Sequence, residues 1–310
     1  MAGFAQGARS ALRYVAESTF GTTPTTPTFT ELPIKTHSLT LTKERLQGND
    51  IQADRMPRVD RHGNRSASGS IEVDLRKDDY DPFLESAFMS TFDTNNVIEI
   101  GTTPKYFSIE DAALDISEFR LFTGMTVTTA TFSIAPNQMV NTTFEFVGKN
   151  MTQNATTAST GGTPTAISTN APFDSYNGTI FEGGTGTSNQ IGIVTSLEFS
   201  ITNSFAPTFV VGSSTAPQLE FGRAVVEGTL TVYYENETLI NRFLNETETE
   251  IQVEVDDPTG SNPYTFYLPR VKYNGADVPL ANPQSRLITL PFVALYDSVE
   301  GTNLRLTRTP

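Results

Sequence analysis

The side chains that most often do chemistry in proteins are scarce in this sequence. The chain has 310 residues, no cysteine and two histidines, His37 and His62. Without a thiol there is no disulfide, thiolate metal site or cysteine nucleophile, and the commonest metal ligand and general base is nearly missing. Neither histidine accompanies a nucleophile motif of the G-x-S-x-G type. The composition therefore argues against most enzyme classes.

Two acidic clusters and one glycine-rich stretch invite chemical interpretations. DLRKDDYD, ending at Asp81, lacks the glycine turn and distal glutamate of an EF-hand loop, so capping and solvation explain its carboxylates better. VEVDDP, ending at Pro258, offers half of a glycosidase carboxylate pair, but such groupings arise by chance among 35 acidic residues. FEGGTGTSNQ, from Phe181, has no phosphate-loop lysine and predicts a turn. We expect no catalytic residue, cofactor or metal, and no enzyme.

The net charge of −14 argues against a conventional nucleic-acid binder, which needs a basic footprint to displace counterions from phosphate. It is compatible with a protein that DNA must pass without sticking. The N-terminus has no apolar signal region, and no apolar run approaches ~18 residues, so the sequence predicts neither export nor a helical membrane span. We expect a protein that is soluble and intracellular at synthesis.

Short alternating runs separated by Gly, Pro, Thr and Asn predict a mainly β chain with little helix. The clearest strands are SLTLTK, GSIEVDL, TVTTATFSI, NTTFEFV, SLEFSIT, EGTLTVYY and IQVEV. Two helices are predicted, each a few residues after a strand. One is DPFLESAFMSTF, with Asp81 as N-cap and Pro82 in the first turn, and the other is ENETLINRFL, with Asn236 as a candidate cap.

An uncharged stretch rich in Ser, Thr, Gly, Ala and Pro runs from Thr152 to Pro172 and cannot supply a core. It predicts a flexible linker that divides the chain into residues 1–151 and 173–310.

The two parts so defined resemble each other. Gly63 and Gly69 match Gly222 and Gly228 at the same spacing, and a strand and then a helix follow in both parts. Further matches lie in the same order and comprise Leu39, Leu41, Ile71, Val73, Asp79, Phe83, Leu84, Phe88, Ala135, Gln138, Thr143 and Phe146 against Leu197, Phe199, Leu230, Val232, Glu235, Leu239, Ile240, Leu244, Ala281, Gln284, Thr289 and Phe292. Two sandwich domains can look alike by chance. A helix at the same position in two parts that otherwise consist of β-strands favours tandem duplication.

The arrangement also resembles a known family. SALRYVAESTFGTTPTTP, HSLTLTKE, QADRMPRVDRHGN and SASGSIEVDLRKDDYDPFLESAF, in this order, are similar to the tail tube proteins of long-tailed, siphovirus-like bacteriophages. The resemblance covers the first part directly and the second through the duplication. It implies tube-type β-sandwich or barrel domains, each flanked by one helix. It further implies self-assembly into stacked rings that conduct the genome in the virion tail.

The resemblance also implies partners: other copies of the chain, and the tail terminator, tape measure and distal tail proteins. Double-stranded DNA would pass through without specific binding, and no membrane is involved. Typical tubes of this group are hexameric. Because this chain carries two copies of the unit, three chains satisfy the same geometry, and we expect a homotrimeric, pseudo-hexameric ring. The alternative is a true hexamer whose second part projects outward as decoration.

Strand alternation places small hydroxyls and carboxylates on one side of several strands, opposite an apolar side that should pack under the first helix. Combined with the family resemblance, this predicts an acidic channel lining that repels phosphate. For any one residue, the solvated outer face of a sandwich is the simpler alternative. The candidate channel residues are Glu72, Asp74, Thr143, Glu145, Glu198, Ser200, Thr229 and Thr231.

Two loops are candidates for stacking one ring on the next. The first is basic on an acidic protein and suits electrostatic docking, although a solvated hairpin tip is the alternative for about half of its charges. Its counterpart in the second part is apolar and is expected to be exposed, as interfaces often are. The residues are Lys43, Arg45, Arg55, Arg58, Arg61 and Arg65 in the first loop and Phe205, Phe209, Val210 and Val211 in the second.

Two other functional classes stay open at this point. A virion adhesin or carbohydrate-binding β-sandwich would share the composition but should cluster exposed aromatic residues, and this chain has no tryptophan. An outer-membrane barrel would share the alternation but needs an export signal and aromatic girdles.

Overall fold

Alternating apolar and polar residues form β-strands throughout the chain, and strands greatly exceed helices, as the sequence predicts. The computed structural model describes residues 3–183, 191, 193–280 and 285–309. The repeat matches at Ala281 and Gln284 and most of the glycine-rich stretch, residues 184–190, lie outside the described residues.

The first half begins with a single 3₁₀ turn, Gly7–Arg9, and contains one helix among its strands. These elements are β1 (Ser10–Glu17), β2 (Thr30–Leu32), β3 (Thr36–His37), β4 (Thr40–Gln47), β5 (Asp60–Asp74), α1 (Asp81–Phe88), β6 (Val97–Glu99), β7 (Tyr106–Ala113), β8 (Glu118–Ile134), β9 (Asn141–Gly148) and β10 (Asn150–Asn154).

Among its described residues the second half also contains one helix, again placed between two strands. Its elements are β11 (Asp174–Glu182), β12 (Val194–Thr202), β13 (Ala206–Thr208), β14 (Gln218–Glu220), β15 (Val225–Tyr233), α2 (Thr238–Leu244), β16 (Thr249–Asp256), β17 (Tyr264–Tyr273), β18 (Leu287–Ala294) and β19 (Arg305–Arg308).

The two halves have the same strand order. In the first half, antiparallel neighbours run β1, β7, β8, β9, β5 and β4. In the second half they run β11, β16, β17, β18, β15 and β12. Strands β10 and β19 follow at the ends of the two halves and pair with β8 and β17 respectively. The shared strand order supports the tandem duplication inferred from the sequence.

The sheets of the two halves join where β12 pairs with the end of β8. Leu197 to Thr202 face Ile134 to Thr129 in antiparallel register. One continuous antiparallel sheet therefore runs through β4, β5, β9, β8, β12, β15 and β18. A second link pairs β19 at the end of the chain with β6 of the first half.

Each helix begins one residue away from the predicted position, the first earlier and the second later. Asp81, predicted as an N-cap, is the first residue of α1; Tyr80 occupies the cap without a side-chain bond, and Pro82 lies in the first turn as expected. In α2 the cap position falls on Glu237, although Asn236 Oδ1 still accepts a hydrogen bond from Thr238 N at 2.9 Å.

The apolar core continues from one half into the other. Phe132 of β8 stacks on Phe199 of β12, with ring centroids 4.9 Å apart, and Phe132 lies 4.9 Å from Phe266 of β17. All three side chains are essentially inaccessible to solvent. Burial of three aromatic rings at the junction strengthens the strand pairing that joins the halves.

The segment between the halves, predicted as a flexible linker from Thr152 to Pro172, has defined partners along the first half. Glu110, fully buried, accepts hydrogen bonds from Thr157 Oγ1 at 2.8 Å and Ala158 N at 2.6 Å. Further along, Ser168 Oγ donates to Asp79 Oδ2 at 2.6 Å. A polar segment is thus held by hydrogen bonds rather than by apolar packing, which the composition alone does not reveal.

Candidate channel face and assembly surfaces

All eight candidate channel residues lie on one face of the continuous sheet. Residues paired directly across neighbouring strands point to the same side, so the register identifies each face. Glu72 of β5 pairs with Thr143 of β9, which pairs with Thr131 of β8; Thr131 pairs with Ser200 of β12. Cross-strand pairs place the other five candidates on the same face; these are Asp74, Glu145, Glu198, Thr229 and Thr231.

The opposite face of these strands is apolar and closed to solvent. Ile71, Phe144, Ala130, Ile201 and Val226 are fully buried. Along each strand, residues therefore alternate between the core and an accessible polar surface, as a half-buried sheet requires.

The structure adds residues to the polar face that the sequence analysis did not select. Thr129, Thr131 and Ser133 of β8 continue the rows between β9 and β12, and Glu227 of β15 faces Ser200. Their alternation in TVTTATFSI was visible in the sequence. Their position at the centre of the face follows only from the pairing of β8 with β12. This surface, defined by the eight candidates and these four residues, is called the polar face below.

One end of the polar face carries a cation. Lys35 Nζ lies 3.2 Å from Glu72 Oε1 and 3.3 Å from Asp74 Oδ1. Asn141 Nδ2 also donates to Glu72 Oε1 at 2.6 Å. The hydrogen bonds from Asn141 and Lys35 hold the pKa of the Glu72 carboxyl below its usual value. Glu72 thus stays ionised, and the exposed Glu145, Glu198 and Glu227 extend the negative surface away from Lys35.

The basic loop is a long β-hairpin made by β4, β5 and their connection. Lys43 pairs with Arg65 across the two strands, and the outer part of the hairpin is exposed to solvent. Arg45 Nε contacts Asp60 Oδ2 at 2.7 Å, and Arg58 forms an ion pair with Asp54. Exposed pairs of this kind contribute little to folding, so the core does not depend on the charges of the hairpin.

The apolar loop of the second half is only partly exposed. Phe205 was predicted to be exposed, and this is wrong: it is 8% accessible and packs with Met89 and Leu219 in a small core beneath the loop. Phe209 is half-buried. Val210 and Val211 at the loop tip are exposed, as predicted. The loop therefore uses its first aromatic residue to anchor itself and presents only its tip.

The structure brings the two candidate stacking loops together. Arg65 N, on the inner part of the hairpin, donates to Ser214 O of the apolar loop at 2.9 Å. Arg65 also forms an isolated parallel bridge with Thr215. The loop of the second half thus lies against the hairpin of the first half.

The acidic clusters singled out in the sequence have structural roles. Arg308 at the end of the chain pairs with Asp78 at 3.3 Å and with Asp81, while Asp81 also accepts from Tyr264 at 2.8 Å. Asp257 accepts from Thr259 N at 2.9 Å within a turn. Across the described ranges, His, Cys, Asp and Glu do not group as a metal site requires.

In the part of the chain that the structure describes, neither helix has the length and apolar character needed to cross a bilayer.

A family model described as phage tail tube protein matches residues 7–294, nearly the whole chain and both halves. A comparison with curated protein sequences gave no match.

Proposed function

The chain belongs to the phage tail tube protein family, and from this premise we propose that three copies close into a ring whose stacked repeats form the tail tube. Membership makes the chain a structural protein of the virion tail that assembles with its own copies, and the family is not one of enzymes. It favours this function over the adhesin or carbohydrate-binding alternative. The remaining steps of the proposal concern how the tube is built and lined.

The continuous sheet is the single observation that carries the proposal. Six strands of equivalent order in each half meet at the pairing of β8 with β12, so each chain already contains one junction between two units. In a closed ring every unit rotates by the same angle to meet its neighbour. If six units close the ring, three chains supply them, with three junctions inside chains and three between chains.

The arrangement disfavours a hexamer in which the second half is an outward decoration. β12 of the second half extends the same sheet as β8 of the first, and its Glu198 and Ser200 lie on the same face as Ser133 and Thr131. An ornamental domain has no need to continue the sheet and its polar face.

We assign the polar face to the channel. Carboxylates and small hydroxyls repel or slide past phosphate instead of gripping it, so double-stranded DNA passes without specific binding. The exposed carboxylates Glu145, Glu198 and Glu227 dominate the centre of this face. We assign contacts between stacked rings to the hairpin and to the tip of the apolar loop. Tail terminator, tape measure and distal tail proteins would complete the tail, which is built in the host cytoplasm.

Image averaging of single rings tests the proposal. We expect three repeats of a two-lobed unit around a central channel, with tubes or rings formed by the purified chain or present in isolated tails. Six equivalent chains around the channel would refute the ring of three. A chain that forms neither rings nor tubes and does not enter tails would refute the proposed function as a whole.

A further inference from the structure

The internal junction between β8 and β12 has a counterpart at the two free ends of the same sheet. In the first half, β4 occupies the position that β12 occupies in the second. In the second half, residues 274–280 run beside β18 as the end of β8 runs beside β9. We propose that β4 of one copy pairs with residues 275–280 of the next copy, in the register of the internal junction. The inference rests on the proposed ring and names the contact that closes it.

The correspondence between the halves determines which residues meet. Thr143 corresponds to Thr289 in the repeat, and these residues pair with Thr131 and Asp277 respectively. Asp277 therefore takes the place of Thr131, which faces Ser200 at the internal junction.

The β4 side of the contact follows from the same repeat. Because Leu39 and Leu41 correspond to Leu197 and Phe199, Thr42 corresponds to Ser200. Thr42 of one copy should thus face Asp277 of the next.

Backbone groups at both edges point outward in this register. Asp277 exchanges two hydrogen bonds with Thr289, at 3.0 and 2.9 Å, so its neighbour Val278 directs its N–H and C=O away from β18. Just before β4, Ser38 N donates to Ser70 O at 2.9 Å. In this alternation Ser38, Thr40 and Thr42 direct their backbone groups toward β5, and Leu41 directs its N–H and C=O away from β5. Leu41 and Val278 are opposite each other in the proposed register and can exchange both hydrogen bonds.

The free edge of the second half shows what the contact would cover. Ile134 at the internal junction is 7% accessible, whereas its counterpart Leu280 is 77% accessible. Arg286 Nη2 donates to Val278 O at 2.6 Å, so a side chain of the same copy occupies an acceptor that a strand would use. An exposed edge with an apolar end is a template for another strand, and a second copy supplies β4 with the matching pattern.

Engineered cysteines test the register, because the chain has none of its own. The facing pair Thr42 and Asp277 would be a non-hydrogen-bonded pair with Cα atoms about 4.5 Å apart, within the range that a disulfide spans. The double variant Thr42→Cys/Asp277→Cys, assembled into rings or tails and oxidised with glutathione disulfide, should link each chain to both neighbours. The matched control Ser38→Cys/Asp277→Cys places one cysteine four residues earlier in the chain, just before β4 and about 13 Å from the Thr42 position, and should react more than about tenfold more slowly.

Denaturing gels without reductant then separate the outcomes. A closed set of three chains supports the pairing and the ring of three, and a closed set of six supports the pairing but refutes the ring of three. Rings that form and yet crosslink no faster than the control overturn the inference while the proposed function stands. If the double variant does not assemble, rings mixed from the single variants Thr42→Cys and Asp277→Cys test the register, because the pairing then predicts rapid formation of covalent dimers. Dimers that form no faster than with Ser38→Cys in place of Thr42→Cys would overturn the inference. If the unaltered chain forms no ring, the proposed function fails and the inference fails with it.

Discussion

Helices α1 and α2 occupy the same position in the two halves, yet they contact the sheet through different kinds of side chain. Phe83 of α1 is fully buried, with its ring centroid 5.1 Å from that of Phe146, 5.2 Å from that of Phe107 and 5.2 Å from that of Tyr14. No described residue of α2 is fully buried. Instead, Arg242 of α2 contacts the buried Glu182 of β11 at 2.5 Å and also Thr249.

The same topology is therefore stabilised in two different ways. The first half fixes its helix mainly by burying aromatic surface, which stabilises in proportion to the area removed from water. The second fixes it by an ion pair beneath a helix whose apolar residues, Leu239, Ile240 and Phe243, are only partly buried. Substitutions at matched positions should therefore have different sizes and different pH dependence.

The largest effect is expected from a matched pair of truncations in the two helices. Phe83→Ala should lower the free energy of unfolding by about 3–5 kcal/mol, because it empties a site surrounded by aromatic rings. Leu239→Ala, at the equivalent position, should cost about 1–2 kcal/mol, since its side chain is already partly in water. Guanidinium unfolding of both variants measures the difference. Equal costs would show that the two helices are held alike.

A smaller but pH-dependent effect is expected from Arg242→Ala. Burial raises the pKa of the Glu182 carboxyl above its usual value although Arg242 opposes the shift, so removing Arg242 should raise that pKa further. A carboxyl with a raised folded-state pKa stabilises the fold below its unfolded pKa of about 4.3, and this contribution is lost as the pH rises through the folded value. The variant should therefore lose about 2–3 kcal/mol at pH 7 and less at pH 4.

Unfolding curves at pH 4 and pH 7 check this prediction. Adding Glu182→Gln to Arg242→Ala should restore much of the stability at pH 7, since no carboxylate is left buried without its cation. Arg242→Lys serves as the control that keeps the charge. A deficit independent of pH would mean that Arg242 acts through packing alone.

Much of each half could be predicted from the sequence, because its determinants are local. Alternation of period two predicted the strands that carry Ile71, Phe144 and Phe199, and the repeat predicted a common order. The repeat also predicted two helices in equivalent positions. The channel candidates share one face for the same reason: alternation fixes which side of a strand each residue occupies.

What the sequence did not predict depends on contacts between distant segments. The pairing of β8 with β12 follows from how two complete sheets meet, and no local pattern around Ser133 or Glu198 specifies it. Phe205 is buried because Met89 and Leu219 lie beneath its loop. Likewise, the composition of the segment around Thr157 gives no hint that the buried Glu110 holds it in place.

Charge reversal on the polar face should affect DNA rather than folding. A variant in which Lys replaces all four of Glu72, Asp74, Glu145 and Glu198 should still assemble, because these side chains lie outside the core. Loss of the Lys35 contacts should cost up to about 1 kcal/mol of stability. Particles carrying the variant should retain DNA in a steeply salt-dependent way, since several new phosphate contacts form together.

DNA ejection measured over a range of salt concentrations checks the assignment of the face. The matched control makes the same number of changes on carboxylates exposed elsewhere, at Glu118, Glu220, Glu235 and Glu237. Unchanged ejection by the polar-face variant would place that face away from the channel.

The smallest effect on folding is expected at the hairpin, where the first half differs most from the second in charge. Changing Arg55, Arg58 and Arg61 together to Glu should alter the free energy of unfolding by less than about 1 kcal/mol, because exposed charges contribute little to the core. If the hairpin docks electrostatically on the next ring, the same variant should form shorter tubes that dissociate at lower salt. Changing the three residues to Gln separates loss of attraction from added repulsion and should give an intermediate result. Electron microscopy of tube length against salt concentration measures the effect. If the Glu variant forms tubes of normal length and salt resistance, other surfaces mediate ring stacking. The apolar tip at Val210 and Val211 is then the first candidate.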